Sequence, residues 1–110
     1  MKRTLLRRIS TKRAIQLSQL NQLTEKLRTL CDNRSELSRR QPDWQSNWKV
    51  EPHHIQGRIG RLLLDPLNII MLTRSEHDLE EGKVKGEKIG KEKLLEIVKE
   101  LRLRQGFVAN

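Results

Sequence analysis

The chain has 110 residues, of which 35% are hydrophobic, so it can hold one small domain and a small core, not two. Lys and Arg number 23 against 14 acidic residues, a formal net charge of +9 with a pI near 10.3, and such an excess points to a polyanion, nucleic acid ahead of an anionic membrane. No apolar run approaches a bilayer span, no segment near Met1 reads as a signal sequence, and one cysteine, Cys31, excludes an intramolecular disulfide and a four-cysteine zinc site.

The first ten residues, MKRTLLRRIS, are a basic opening segment in which Lys2, Arg3, Arg7 and Arg8 surround Leu5 and Leu6. This reads either as a frayed terminus or as a basic arm on phosphates. From about Thr11 to Leu30 the pattern is helical, with Ser10 or Thr11 as N-cap. Leu20, Leu23, Leu27 and Leu30 recur at three- and four-residue steps, and Leu17 extends the stripe upstream. Such a stripe is expected to face the core, since it is too short for a sustained coiled coil. Cys31-Asp32-Asn33 ends it.

Residues 34 to 47 are polar and carry Pro42, which predicts a loop or a series of turns. Trp44 and Trp48 can fill a small core or stack on bases, and the core is expected. Trp48-Lys49-Val50-Glu51 alternates as a short strand leading into His53 and His54. Residues 56 to 65 form a glycine-hinged loop carrying Arg58 and Arg61, after which Leu62-Leu63-Leu64 packs and Asp65-Pro66 turns the chain. Asn68 to Leu72 reads as a buried strand. A short helix follows, capped by Thr73 or Ser75, with Glu76, Asp78, Glu80 and Glu81 suiting its positive end. Gly82 to Gly90 is an exposed lysine- and glycine-rich linker. Lys91 to Arg104 is a second clear helix, with Leu94, Leu95, Ile97, Val98 and Leu101 as its apolar face and Gly106 as its stop.

All three histidines fall between Val50 and Glu81, with Asn68 among them. Imidazole is a common metal ligand and the side chain best suited to move a proton near neutral pH. Adjacent strand residues point to opposite faces, so His53 and His54 can serve one site only in different roles, one on a metal and one facing substrate. His77, on a helix packed against the strands, can bring a second nitrogen to the same ion. Asn68 can orient an imidazole or simply turn the chain after Pro66. Surface histidines held by ordinary hydrogen bonds are the competing reading.

The combination of His53-His54-Ile55, Gly57-Arg58, Asn68 and His77 resembles the HNH endonuclease family, particularly its small phage and bacterial members. The upstream Lys12-Arg13-Ala14 helix is similar to phage versions, and the likeness covers roughly residues 12 to 81. The resemblance implies an α+β fold with a ββα-metal core at about 48–81, flanked by helices at about 11–31 and 91–104, as a single nuclease domain over 1–110. It implies His53 and His77 as metal ligands, His54 as the general base that activates water, and Asn68 as the residue that holds the base in place. Glu81, one turn beyond His77, stands where some members have a further ligand.

Many members clamp a structural zinc with two CxxC pairs. Here Cys31 has Arg34 at its partner's position, and Thr73 and Glu76 stand at the second pair, so no structural zinc is expected and the flanking helices or a homodimer must supply the stability. The resemblance implies hydrolysis of DNA with one divalent ion (Mg, Mn, Ni, Co or Zn), and Arg58 and Arg61 are candidates for phosphate contacts or plain solvated charge. The expected setting is the cytoplasm, for a phage-encoded member that of the host. A nucleic-acid-binding protein that keeps the fold without catalysis is the alternative.

Overall fold

The computed structural model describes residues 2–107, and of Lys2–Ser10 the helical backbone alone. The elements run α1 (Lys2–Leu30), β1 (Glu51–His54), β2 (Ile69–Leu72), α2 (Arg74–Glu80) and α3 (Lys91–Arg104), with short 3-10 segments at Trp44–Ser46, Gly60–Leu64 and Pro66–Asn68. The result is an α+β domain with three α-helices and a two-stranded antiparallel sheet among the described residues. None of these helices is long and apolar enough to cross a membrane.

The first helix starts at Lys2 rather than at the expected cap near Ser10 or Thr11. No Gly or Pro interrupts it, and a Ser-Thr pair inside a helix costs only a few tenths of a kcal/mol per residue. The side chains of the expected basic arm, Lys2, Arg3, Arg7 and Arg8, lie outside the described residues. The helix ends where Asp32 (φ 58°) and Asn33 (φ 52°) turn left-handed, a conformation that Asn and Asp tolerate better than most residues. Its buried face is Leu20, Thr24, Leu27 and Cys31, with Leu23 partly covered. Leu17 and Leu30, expected on that stripe, are exposed. Leu30 lies to one side of the face that Leu27 and Cys31 define, and Leu17 lies beyond the last buried turn at Leu20.

Strand β2 is buried at every position, and its alternation divides the core. Ile69 and Met71 join Leu20, Leu27, Cys31 and Val50 on the α1 side. Ile70 and Leu72 join Ile55, Leu94 and Val98 on the α3 side. Strand β1 begins at Glu51, not at Trp48 as the alternation suggests, because Asn47 and Trp48 both take φ 60° and cannot extend a strand. Trp44 and Trp48 are 71% and 63% exposed, so the expectation that they fill the core is wrong. Val50, Ile55, Leu63 and Leu64 do that work.

Helix α3 has the predicted bounds, but its innermost stripe is Leu94, Val98 and Arg102, four residues apart each. Arg102 is fully buried. Its guanidinium meets the Glu36 carboxylate in two hydrogen bonds of 2.6 and 2.7 Å and donates to the carbonyls of Ile69 (2.7 Å) and Pro66 (3.0 Å). Glu36 also accepts from the Met71 N–H (2.9 Å), and its own N–H donates to the Met71 carbonyl (2.8 Å). Together the two side chains satisfy the edge of β2 that β1 leaves unpaired, as a third strand would.

Cys31 is free and buried. Thr73 and Glu76 form a capping box that starts α2. The 82–90 segment is exposed as expected, and Glu80 anchors its end by accepting the N–H groups of Ile89 (2.8 Å) and Gly90 (3.2 Å).

Candidate functional site

The register of the sheet decides what the histidine pair can do. His53 pairs with Ile70 and His54 with Ile69, so the two imidazoles leave β1 on opposite faces. His53 is buried against α2, where its ring meets that of His77 edge-on, with centroids 5.1 Å apart. His54 turns to the α1 face, and its Nε2 lies 3.0 Å from the Leu63 carbonyl.

His53, His77 and Glu81 each offer a ligand atom, all within 4.8 Å of one another. The atoms bound to one ion at about 2.1 Å lie about 3–3.5 Å apart, so a small closing movement brings the group onto a metal. The His77 Nε2 already sits 2.7 Å from Glu81, which is on the exposed end of α2. The set of two nitrogens and one carboxylate oxygen suits a borderline divalent cation with further coordination positions open. His53 Nδ1 is buried and has no hydrogen-bond partner among the described residues. An unsatisfied polar atom in the interior is costly, and a cation at this cluster fits that vacancy. Burial, and then the neighbouring His77, hold the His53 pKa below its ordinary value, which favours the neutral ring that a metal needs.

Glu51, absent from the residues that the sequence singles out, belongs to this cluster. Its carboxylate makes an ion pair with Arg74 at 2.7 Å and lies 3.5 Å from His77 Nδ1. A carboxylate behind a ligating imidazole fixes the ring's tautomer and orientation. The two-residue step from Glu51 to His53 was the available signal, since alternation places both on the face that meets α2.

For His54 the carbonyl of Leu63 settles the tautomer. A carbonyl only accepts, so Nε2 carries the proton and donates, and a neutral ring then has its lone pair on Nδ1. Burial pushes the His54 pKa down, the Leu63 carbonyl works against it, and the positive charge of Arg58 pushes it down further. Asn68 is buried and does not touch His54. Its Oδ1 accepts from the Gln56 N–H (2.8 Å), and its Nδ2 donates to the carbonyls of Gly57 (2.8 Å) and Leu62 (3.0 Å). It therefore ties together the loop whose next carbonyl, that of Leu63, holds His54. Its expected orienting role is indirect, through backbone, and the chain around it is the end of a 3-10 segment rather than the first residue of a strand.

A cleft of about 260 Å³ is lined by Pro52, His54, Gly57, Arg58, His77 and Glu81. It brings the candidate base, two of the candidate ligands and one basic side chain to a common space at the margin of the sheet. Arg58 also borders an adjoining hollow with Arg13, Gln16, Leu17 and Leu63, so α1 carries the positive wall past the cleft. The exposed Leu17 belongs to that hollow. Arg61 sits apart, exposed and 3.7 Å from Asp65. Comparison with family models, with curated proteins and with solved structures finds no match for the chain.

Proposed function

We propose that this chain is a metal-dependent DNA endonuclease built on a ββα-metal core of the HNH type. The observation that carries the reading is the convergence of His53, His77 and Glu81 on one point, beside a cleft that also holds His54 and Arg58. The order of parts supports it: a histidine pair on β1, a buried Asn ahead of β2, and a histidine on the helix that follows. The net charge of +9 supports a polyanionic substrate.

In this reading His53 and His77, joined by Glu81, hold one divalent cation, with Glu51 behind His77. When bound, the ion supplies positive charge against the phosphate as negative charge builds there. Arg58 draws the backbone phosphate into the cleft. His54 Nδ1 takes a proton from the attacking water as the new P–O bond forms. The P–O3′ bond breaks with its electron pair going to O3′, which takes a proton from solvent water, so the products carry a 5′-phosphate and a 3′-hydroxyl. Leu63 keeps the ring aimed, and Asn68 keeps Leu63 in place.

A plasmid-nicking assay with added Mn²⁺ tests the proposal. Wild type is expected to convert supercoiled DNA to open circle, EDTA to stop it, and His54→Ala to reduce it by a factor of at least about a hundred while DNA binding persists. Absence of cleavage with Mg²⁺, Mn²⁺, Co²⁺, Ni²⁺ and Zn²⁺ alike, in protein that still binds DNA, would favour the non-catalytic binding module.

A further inference from the structure

Two tryptophans on one short loop, 71% and 63% exposed, are unexpected in a chain with only one other aromatic side chain. A single exposed apolar residue needs no account. Here, however, the backbone is also held so as to present them. Asn47 and Trp48 are consecutive non-glycine residues at φ 60°, and a bulky residue in that region is an outlier that the surrounding structure must enforce. The Trp48 N–H donates to the Asp43 carbonyl at 3.0 Å, and Asn33 Nδ2 donates to the Trp48 carbonyl at 2.9 Å. The other end of the Asn33 amide accepts the Val50 N–H at 3.1 Å. Asp43 caps the 3-10 turn that begins at Trp44, its carboxylate taken up by the Gln45 N–H. A loop that only had to turn would use glycine at these positions.

The charge around the indoles selects the partner. Arg34, Arg39, Arg40 and Lys49 belong to the same stretch, the last three exposed although one Arg39 nitrogen donates to the Cys31 carbonyl (3.1 Å), against Asp32 and Asp43; Glu36 is neutralised by Arg102. A recess of about 330 Å³ beside Trp48 is lined by Asp32, Asn33, Arg34, Gln41 and Pro42, which is room for a flat polar ring against the indole. The side chains of Arg34 and Gln41 make no hydrogen bond to other described residues and are available to such a ring. An apolar protein surface would have to desolvate this basic rim without compensation, whereas a nucleic-acid strand offers both π-faces and phosphates.

We infer that Trp44 and Trp48 form a stacking surface for unpaired nucleobases, with Arg39, Arg40 and Lys49 on the adjoining phosphates. The inference rests on the nucleic-acid part of the reading above and not on the chemistry at His54. It gives the protein a preference for single-stranded or frayed DNA.

The chain has two tryptophans and no tyrosine, so its indole emission reports these two residues alone. A fluorescein-labelled single-stranded oligo(dT) is titrated into the full chain in EDTA, with label anisotropy and indole emission followed together. The expected result is a rise in anisotropy and a quench of emission with a common midpoint. Trp44→Ala and Trp48→Ala, whose native side chains are mostly in water, should keep the wild-type far-ultraviolet circular dichroism and weaken binding by about tenfold each. Binding with unchanged emission and unchanged variant affinity overturns the inference and leaves the endonuclease reading intact. Quenching with tenfold losses in a protein that never cleaves DNA upholds it while the endonuclease reading fails. No binding to oligo(dT), or an emission change driven by protein concentration without DNA, overturns it, the latter in favour of a second copy on this surface.

Discussion

Replacing Arg102 with Met keeps the volume of a long unbranched side chain and removes the fork. Five hydrogen bonds go with it: two to Glu36, one each to the carbonyls of Ile69 and Pro66, and one to the Gln105 side chain. The main loss is what stays behind. The Glu36 side chain is 2% exposed, and without Arg102 its side chain keeps only the Met71 N–H as a partner. Removing one partner of such a pair typically costs about 3–5 kcal/mol, against a total stability of about 5–15 kcal/mol for a small domain. At about 4 °C per kcal/mol for a chain of this size, Tm should fall by about 12–20 °C. The assay is urea unfolding followed by circular dichroism for Arg102→Met, Glu36→Leu and the double variant. The double variant should lose clearly less than the sum of the singles, with a coupling of about 2 kcal/mol or more. A loss below about 1 kcal/mol for Arg102→Met, or strict additivity, would refute the claim that this pair closes the open edge of β2.

Asn68→Ala strips three partners from the loop at residues 56–62 and should cost about 2–3 kcal/mol while depressing cleavage; Asn68→Asp, which keeps the Gln56 acceptor but sets a carboxylate oxygen against the carbonyls of Gly57 and Leu62, should cost at least as much. Equal unfolding midpoints for all three proteins would contradict the role given to Asn68. Two imidazoles in the ligand set favour Mn²⁺, Co²⁺ or Ni²⁺ at least as much as Mg²⁺, so a metal series that supports nicking with Mg²⁺ alone would count against the site. Glu51→Gln should weaken Mn²⁺ binding by about 10–100-fold, read by calorimetry, with the fold retained. Burial raises the Cys31 thiol pKa above its ordinary 9.0, so alkylation of the native protein at neutral pH should be far slower than in urea. The sign of the linkage follows: the folded state keeps a proton that the unfolded chain releases, so this contribution to stability is whole below about pH 9 and is lost as pH rises through the folded value.

Much of the architecture is written in local patterns. Gly90 and Gly106 bracket α3, Thr73 and Glu76 spell a capping box, and the Ile69–Leu72 run needs cover on both faces. The opposite outlooks of His53 and His54 follow from strand alternation alone. What sequence patterns hide is polar residues that are buried because of a distant partner. Glu36 looks like loop and Arg102 like a solvated helix position, and only their meeting, 66 residues apart, makes either a core residue. Glu51 is hidden for the same reason, since its partners His77 and Arg74 come from the later helix. The tryptophans mislead in the other direction. Large aromatics are usually buried, and only the left-handed backbone at Asn47 and Trp48, which no neighbouring glycine announces, turns them outward. The start of α1 was misplaced because a Ser-Thr pair is as compatible with a helix interior as with a cap.

In the proposed site one divalent cation sits among His53, His77 and Glu81, next to His54. Anomalous diffraction from a Mn²⁺-soaked crystal is the decisive experiment. One strong peak in contact with all three side chains and the cleft is expected, and it should be absent from His77→Ala. A peak elsewhere on the chain, or none at a Mn²⁺ concentration that supports nicking, would contradict it.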